Sequence, residues 1–343
     1  MLIARKFRVL LQIAVCMALL AGPLAAQEAV SLAGSGSNLA GSLYFAWTAQ
    51  FEKLHPAVKV RYLPLGTSAS IKEIREGKGD FGGGEIPLTA SQKHSGTSSL
   101  TQFPTILVAI APIYKLPGNP ELRFSGELLA KIYLGIIRNW KDPLIARLNP
   151  DVSLPNLPIT VVHLSGVKGS NYILADFLSK TSPDWKSRIG KTASPDWPVG
   201  LEINRSEAMV TKVSATPGAI GYVEFAYAKS KNVGYASVQN AAGLFVKPTP
   251  AAIAAACTAS DKYIPEDLGA SLTNAPGKES YPLASFTWIY VPAQGLDPAR
   301  SRALKDFWIW TLADGQEIAT SLGFTPLPPA IASRSKQALL SIK

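Results

Sequence analysis

Three short stretches share one design, a glycine- and hydroxyl-rich loop placed to run directly into a helix. They are Gly34-Ser35-Gly36-Ser37-Asn38-Leu39, Leu65-Gly66-Thr67-Ser68-Ala69-Ser70 and Ser165-Gly166-Val167-Lys168-Gly169-Ser170-Asn171. Such a loop leaves backbone N–H groups and small hydroxyls free at the positive end of a helix dipole, which holds an anion without a metal. A single loop of this kind is usually an ordinary cap. Three in one chain require strands that deliver several helix starts to one place, and they point to one converging oxyanion site.

The surrounding pattern supplies those strands. Val58-Lys59-Val60-Arg61-Tyr62-Leu63 alternates as a strand does, between an expected helix over Gly41–Leu54 and a second one opened by Thr67-Ser68. That second helix should stop at Gly77-Lys78-Gly79, ahead of a strand and turn at Asp80-Phe81-Gly82-Gly83-Gly84-Glu85. The apolar run 103–113 reads as a buried strand leaving a first lobe, and 159–163 as a strand feeding the third loop, whose helix covers 172–178. Helix is expected over 128–137 and 302–312, and strand after Pro217-Gly218 and over 286–291. Phe307, Trp308 and Trp310 are expected in the core. Alternating strands and helices define an α/β fold with mainly parallel sheets, in which ligands sit beyond the carboxyl ends of strands.

Residues 1–26 read as a cleaved export signal: Arg5, Lys6 and Arg8, then an apolar core, then Gly22-Pro23-Leu24-Ala25-Ala26. Cys16 lacks the small preceding residue of a lipoprotein signal, so no lipid anchor is expected. The remaining chain suits two lobes. Its net charge falls from +10 to about +7 as three cations leave, and the excess is spread without a like-charge block. That spread argues against nucleic acid as a partner. Cys257 is then alone, no intramolecular disulfide is possible, and an oxidising periplasm fits a core large enough to need none.

Several segments together carry a resemblance. They include Gly34-Ser35-Gly36-Ser37-Asn38, Asp80-Phe81-Gly82, Ile132-Tyr133-Leu134-Gly135 with Asn139-Trp140, and Trp197-Pro198-Val199-Gly200-Leu201. The most distinctive is Pro217-Gly218-Ala219-Ile220-Gly221-Tyr222-Val223-Glu224. In order and spacing the chain resembles the periplasmic phosphate-binding proteins of ABC-type phosphate importers over nearly its whole exported length. The resemblance implies a type II periplasmic-binding-protein fold: two lobes with mixed β-sheets flanked by helices, hinged around a central ligand cleft. Residues 27–107 plus 283–343 would form lobe I and residues 108–282 lobe II. It also implies a periplasmic monomer that needs no cofactor or metal. That monomer would capture phosphate or a related tetrahedral oxyanion and deliver it to a membrane permease and ATPase.

The resemblance maps the ligand set onto Asn38, Leu39, Thr67, Glu85, Lys168, Gly169 and Ser170. Asn38 would donate through its amide, Leu39 through its N–H and Thr67 through its hydroxyl. Glu85 stands where the family has an aspartate that accepts a proton from the ligand. The family's clamping arginine falls on Leu164, and the aspartate that steadies it falls on Gly166. Both members of that ion pair are gone together, which avoids leaving a buried charge unpaired. Lys168 would be the substitute cation, a point charge without the guanidinium fork, or else a solvated surface lysine. Glu85 would either read a ligand proton or pair with Lys168 in an empty site.

Two other classes compete. A hydrolase using Ser37, Thr67 or Ser170 would need a base or a metal. His55, His94 and His163 are scattered, and only His163 lies near the site, at a strand end where a surface position is usual. The chain therefore reads as a binding protein and not an enzyme. The lost arginine leaves open a non-transport sensor or interaction protein that reuses the fold with altered or lost oxyanion binding.

Overall fold

The computed structural model describes residues 29–94 and 99–342; the expected signal segment 1–26 and its cleavage point lie outside them. The described residues contain eleven strands: β1 (Val30–Ser35), β2 (Val58–Leu63), β3 (Phe81–Gly84), β4 (Leu100–Tyr114), β5 (Arg123–Phe124), β6 (Thr160–Leu164), β7 (Leu201–Ile203), β8 (Ala219–Glu224), β9 (Ser237–Gln239), β10 (Phe245–Val246) and β11 (Ala284–Pro292). Eight form one sheet in the order β2-β1-β3-β11-β4-β8-β6-β7, and β10-β9-β5 form a small second sheet.

The long strand β4 joins the two halves. Its first part, Leu100 to Ala109, pairs antiparallel with β11, and its last residues, Ile110 to Tyr114, pair antiparallel with β8. On one side β2, β1 and β3 run parallel, and on the other β8, β6 and β7 run parallel. The sheet is therefore mixed, with its antiparallel joints in the centre and a parallel set at each end. The joints are antiparallel because both halves are entered or left through β4 and β11.

Helices cover both sets. Gly41–Leu54 buries Leu43, Tyr44, Trp47 and Phe51 at helical spacing. There they meet Phe307 and Trp308 of helix Pro298–Thr311, edge to face at 6.1 Å between Tyr44 and Trp308. Phe307 and Trp308 are buried and Trp310 is packed against the same core, as their sequence context predicted. That helix starts earlier than expected, at Pro298, because Asp297 caps it by accepting from the N–H groups of Ala299 and Arg300. The helix expected over 128–137 stops at Tyr133, since Gly135 turns left-handed at φ 69°. Among the described residues no helix is long and apolar enough to cross a membrane. Cys257 is free and buried, and burial pushes its thiol up to about 12.

Candidate functional site

All six strands of the two parallel sets send their carboxyl ends to one cavity of about 110 Å³. From one half come Asn38 and Leu39 after β1, Gly66 and Thr67 after β2, and Glu85 after β3. From the other come Leu164 at the end of β6 and Val167 to Ser170 after it, Asn204 to Ser206 after β7, and Glu224 at the end of β8. Every residue expected in the site, Asn38, Leu39, Thr67, Glu85, Lys168, Gly169 and Ser170, lines this one space. Larger surface clefts exist, about 510 Å³ beside Arg123 and Lys247 and about 370 Å³ beside Asp80 and Arg300. Neither receives these strand ends.

Four helices start at the cavity without a side-chain cap. Helices Gly41–Leu54, Thr67–Arg75, Gly169–Thr181 and Ser206–Ala215 have no side chain hydrogen-bonded at the cap position. Away from the cavity, Ser125, Asp142, Ser182, Thr249 and Asp297 cap their own helices, while Gly315–Ser321 and Pro329–Leu340 start without one. Leaving four N-termini uncapped around one space keeps N–H groups for something that is not part of the chain. Ser170 adds a hydroxyl that is buried and without a partner among the described residues.

Glu85 is the pivot of the first half. Its backbone N–H donates to Thr67 Oγ1 at 3.3 Å, so the threonine proton is directed elsewhere and is available to a ligand. One carboxylate oxygen accepts from the Ser37 hydroxyl and, at 3.4 Å, from the Thr287 hydroxyl. Burial, reinforced by the charge of Glu224, lifts the Glu85 carboxyl from 4.5 to about 7 despite these donors. No ion pair to Lys168 is formed, so the empty-site pairing considered from the sequence is not what this structure holds. The preceding glycines are needed for contact: a β-carbon on Gly84 would stand 2.1 Å from Thr67 Oγ1.

In the other half the loop after β6 is held by an amide. Asn171 Nδ2 donates to the carbonyls of Leu164 and Gly166 at 3.1 and 3.0 Å, and Asn171 Oδ1 accepts from the Tyr222 hydroxyl. Tyr222 in turn accepts from the Leu164 N–H at 3.2 Å. Leu164 presents an apolar wall to the cavity, and Gly166 is left-handed at φ 65°. His163 is not at the surface as its strand-end position suggested. It is buried and stacked on Trp197 at 4.9 Å, and burial holds its imidazole below the usual range. It does not line the cavity.

Sequence reasoning missed four residues of the lining: Asn204, Arg205, Ser206 and Glu224. Arg205 is a second cation at the mouth, and like Lys168 it forms no salt bridge among the described residues. Glu224 is a second buried carboxylate, and its Oε1 accepts from the Ser206 hydroxyl at 2.9 Å. The signal was present, since Ile203-Asn204-Arg205-Ser206 is a fourth strand-to-helix junction, but it lacks the glycine that marked the others. Among the described residues no cluster of His, Cys, Asp and Glu is arranged to hold a metal.

Comparison with known proteins gives a consistent result. The pattern of the PBP superfamily domain matches residues 22–314. The chain is 34% identical over 311 residues to the phosphate-binding protein PstS of Xylella fastidiosa, covering 90% of this chain and 84% of that one. It is 33% identical over 319 residues to the phosphate-binding protein PstS of Haemophilus influenzae, covering 92% and 94%. Its fold matches an ABC-type phosphate transport receptor from Vibrio cholerae with a TM-score of 0.61 at 20% identity, over 87% of this chain and all of that one. It matches a high-affinity periplasmic phosphate-binding protein solved with phosphate with a TM-score of 0.71 at 19% identity, over 90% and 93%. The relatives are binding proteins, and the type II fold expected from the sequence is the one observed.

Proposed function

The chain belongs to the PBP superfamily and, within it, to the phosphate-binding proteins, and on that premise we propose that it captures phosphate between two lobes for an ABC importer. The observation that carries this reading is the convergence of four uncapped helix N-termini and the unpartnered Ser170 hydroxyl on one small cavity. Leu39 and Gly169 would donate backbone N–H groups, Asn38 its amide, and Thr67 and Ser170 their hydroxyls. Lys168 would supply the cation that Leu164 cannot, with Arg205 as a second. Glu85 would accept the ligand's proton, which discriminates against an oxyanion carrying none, because facing lone pairs repel.

We take residues 27–107 plus 283–343 as lobe I and 108–282 as lobe II. The change of partner along β4, from β11 to β8 after Ala109, supports a hinge there. The protein would act in the periplasm as a monomer, after removal of residues 1–26, and hand its ligand to the permease and ATPase. No reaction is assigned to it.

The test is calorimetric titration with phosphate, sulfate and arsenate at two pH values on either side of neutrality. The protein is first unfolded and refolded to strip any carried ligand. Phosphate binding with sulfate rejected is expected; sulfate preference or no binding of any oxyanion overturns the reading. The apolar wall at Leu164 favours one second reading, a sensor that reuses the fold with altered oxyanion binding. Weak phosphate affinity together with an intact fold would support it.

A further inference from the structure

Glu224 ends β8 on the wall opposite Glu85. It is only 7% exposed, lines the same cavity, and uses Oε1 to accept from Ser206. Its other oxygen, Oε2, is buried and has no hydrogen-bond partner among the described residues. Across the same space Ser170 Oγ is a buried donor with no acceptor among the described residues. A buried carboxylate oxygen without a donor is costly, so a proton source is missing from this wall. We propose that Glu224 is a second proton acceptor of the ligand site, so that the cleft takes a tetrahedral oxyanion in its doubly protonated form, one ligand hydroxyl to each carboxylate.

Charge counting agrees. Two ionised carboxylates facing Lys168 and Arg205 cancel to zero, so a bound monoanion leaves one net negative charge and a dianion leaves two. The four helix N-termini offset the smaller excess more readily. The groups that face Glu224 are Glu85, Lys168, Arg205 and Ser206 in the cavity, with Tyr222 and Tyr227 near enough to feel its charge. Glu207 and Lys231 stand in the outer groove that continues from it. Burial raises the carboxyl of Glu224 and that of Glu85, the direction expected of groups that share protons with a ligand.

This assignment rests on the phosphate-capture reading, and the test separates the two. Phosphate affinity of the full protein is measured at pH 6, 8 and 9. At the upper two values free phosphate carries one proton and the complex needs two, so affinity should fall about tenfold per pH unit. In Glu224→Gln the amide donates to an unprotonated oxygen, one ligand proton suffices, and the slope between pH 8 and 9 should vanish. Phosphite is the second probe, because its monoanion has a single O–H. Wild-type protein should bind phosphite roughly tenfold or more weakly than phosphate at pH 8, where the Glu85 carboxyl, raised to about 7, is ionised and can only accept, a comparison that needs no variant to fold. Phosphate affinity independent of pH between 8 and 9, or equal affinity for phosphite, overturns the role of Glu224 and leaves phosphate capture standing. No oxyanion binding by the wild type at any pH overturns both.

Discussion

The Glu85 carboxylate rests against Gly169, the first residue of helix Gly169–Thr181: a β-carbon on Gly169 would stand 2.1 Å from Glu85 Oε2. The two residues come from opposite parallel sets, one after β3 and one after β6. Their contact brings an acidic group to the positive end of a helix, which is favourable, and sets how closely the two sides of the cavity approach.

Gly169→Ala should therefore prop the cavity open. The variant is expected to keep the wild-type melting temperature within a few degrees and to bind phosphate at least about tenfold more weakly. Shortening the opposing side chain in Gly169→Ala/Glu85→Asp should recover part of the loss. A titration in which Gly169→Ala binds like the wild type would remove the close approach from the account.

Lys168 and Arg205 are both free of salt bridges among the described residues, so removing either should not disturb the fold. Lys168→Ala is expected to weaken phosphate binding by about 1.5–3 kcal/mol if it makes a charge-assisted bond in the cavity. Arg205→Ala, at the exposed mouth, should cost less and mainly slow association, with the difference from wild type shrinking at high salt. Stopped-flow binding at two ionic strengths checks both. Unchanged affinity in Lys168→Ala would assign that lysine to the solvent.

The ligand-free protein should lose stability as pH rises through the Glu85 transition. Its carboxyl is raised on folding, from 4.5 to about 7, so the folded state binds the proton more tightly than the unfolded chain. That contribution is complete below about pH 4.5 and is lost progressively up to about pH 7. It amounts to about 3 kcal/mol at most, and Glu224, raised in the same direction, adds to it. Urea unfolding of Glu85→Gln at pH 5 and 7.5 should show a smaller drop between the two than the wild type. An equal drop would mean that the carboxyl is not buried in solution.

Tyr222 holds the loop after β6 through Asn171 and the Leu164 N–H. Tyr222→Phe leaves both partners short of a buried hydrogen bond and should cost about 1–3 kcal/mol of stability. Because Asn171 also holds the carbonyls of Leu164 and Gly166, phosphate affinity should fall in the same variant. Chemical denaturation and calorimetry on one preparation measure the two losses. Reduced stability with full affinity would show that the loop keeps its shape without the tyrosine.

The helices and strands that frame the site were legible because their signals are local. Helix Gly41–Leu54 and strand β2 have the expected bounds, and the helix opened by Thr67 ends just before Gly77. Glycine-marked junctions found the ends of β1, β2 and β6, and the family resemblance supplied Glu85. Arg205 and Glu224 were not found, since an arginine at a strand end and a glutamate in an apolar strand look like ordinary surface and solubility choices in one dimension. His163 misled for the related reason that stacking on Trp197 depends on a segment more than thirty residues away.

The sequence by itself determined the elements, the loop chemistry and the family, because propensity, capping and motif spacing act over a few residues. It also determined that the arginine and aspartate positions hold Leu164 and Gly166. Only the tertiary structure decided that six strand ends share one cavity, that Glu85 lies against Gly169, and that a second carboxylate with an unpartnered oxygen faces it. Those facts depend on how two parallel sets meet across β4 and β11. Burial and charge at the meeting point come from residues far apart in the chain, and no local pattern encodes their sum.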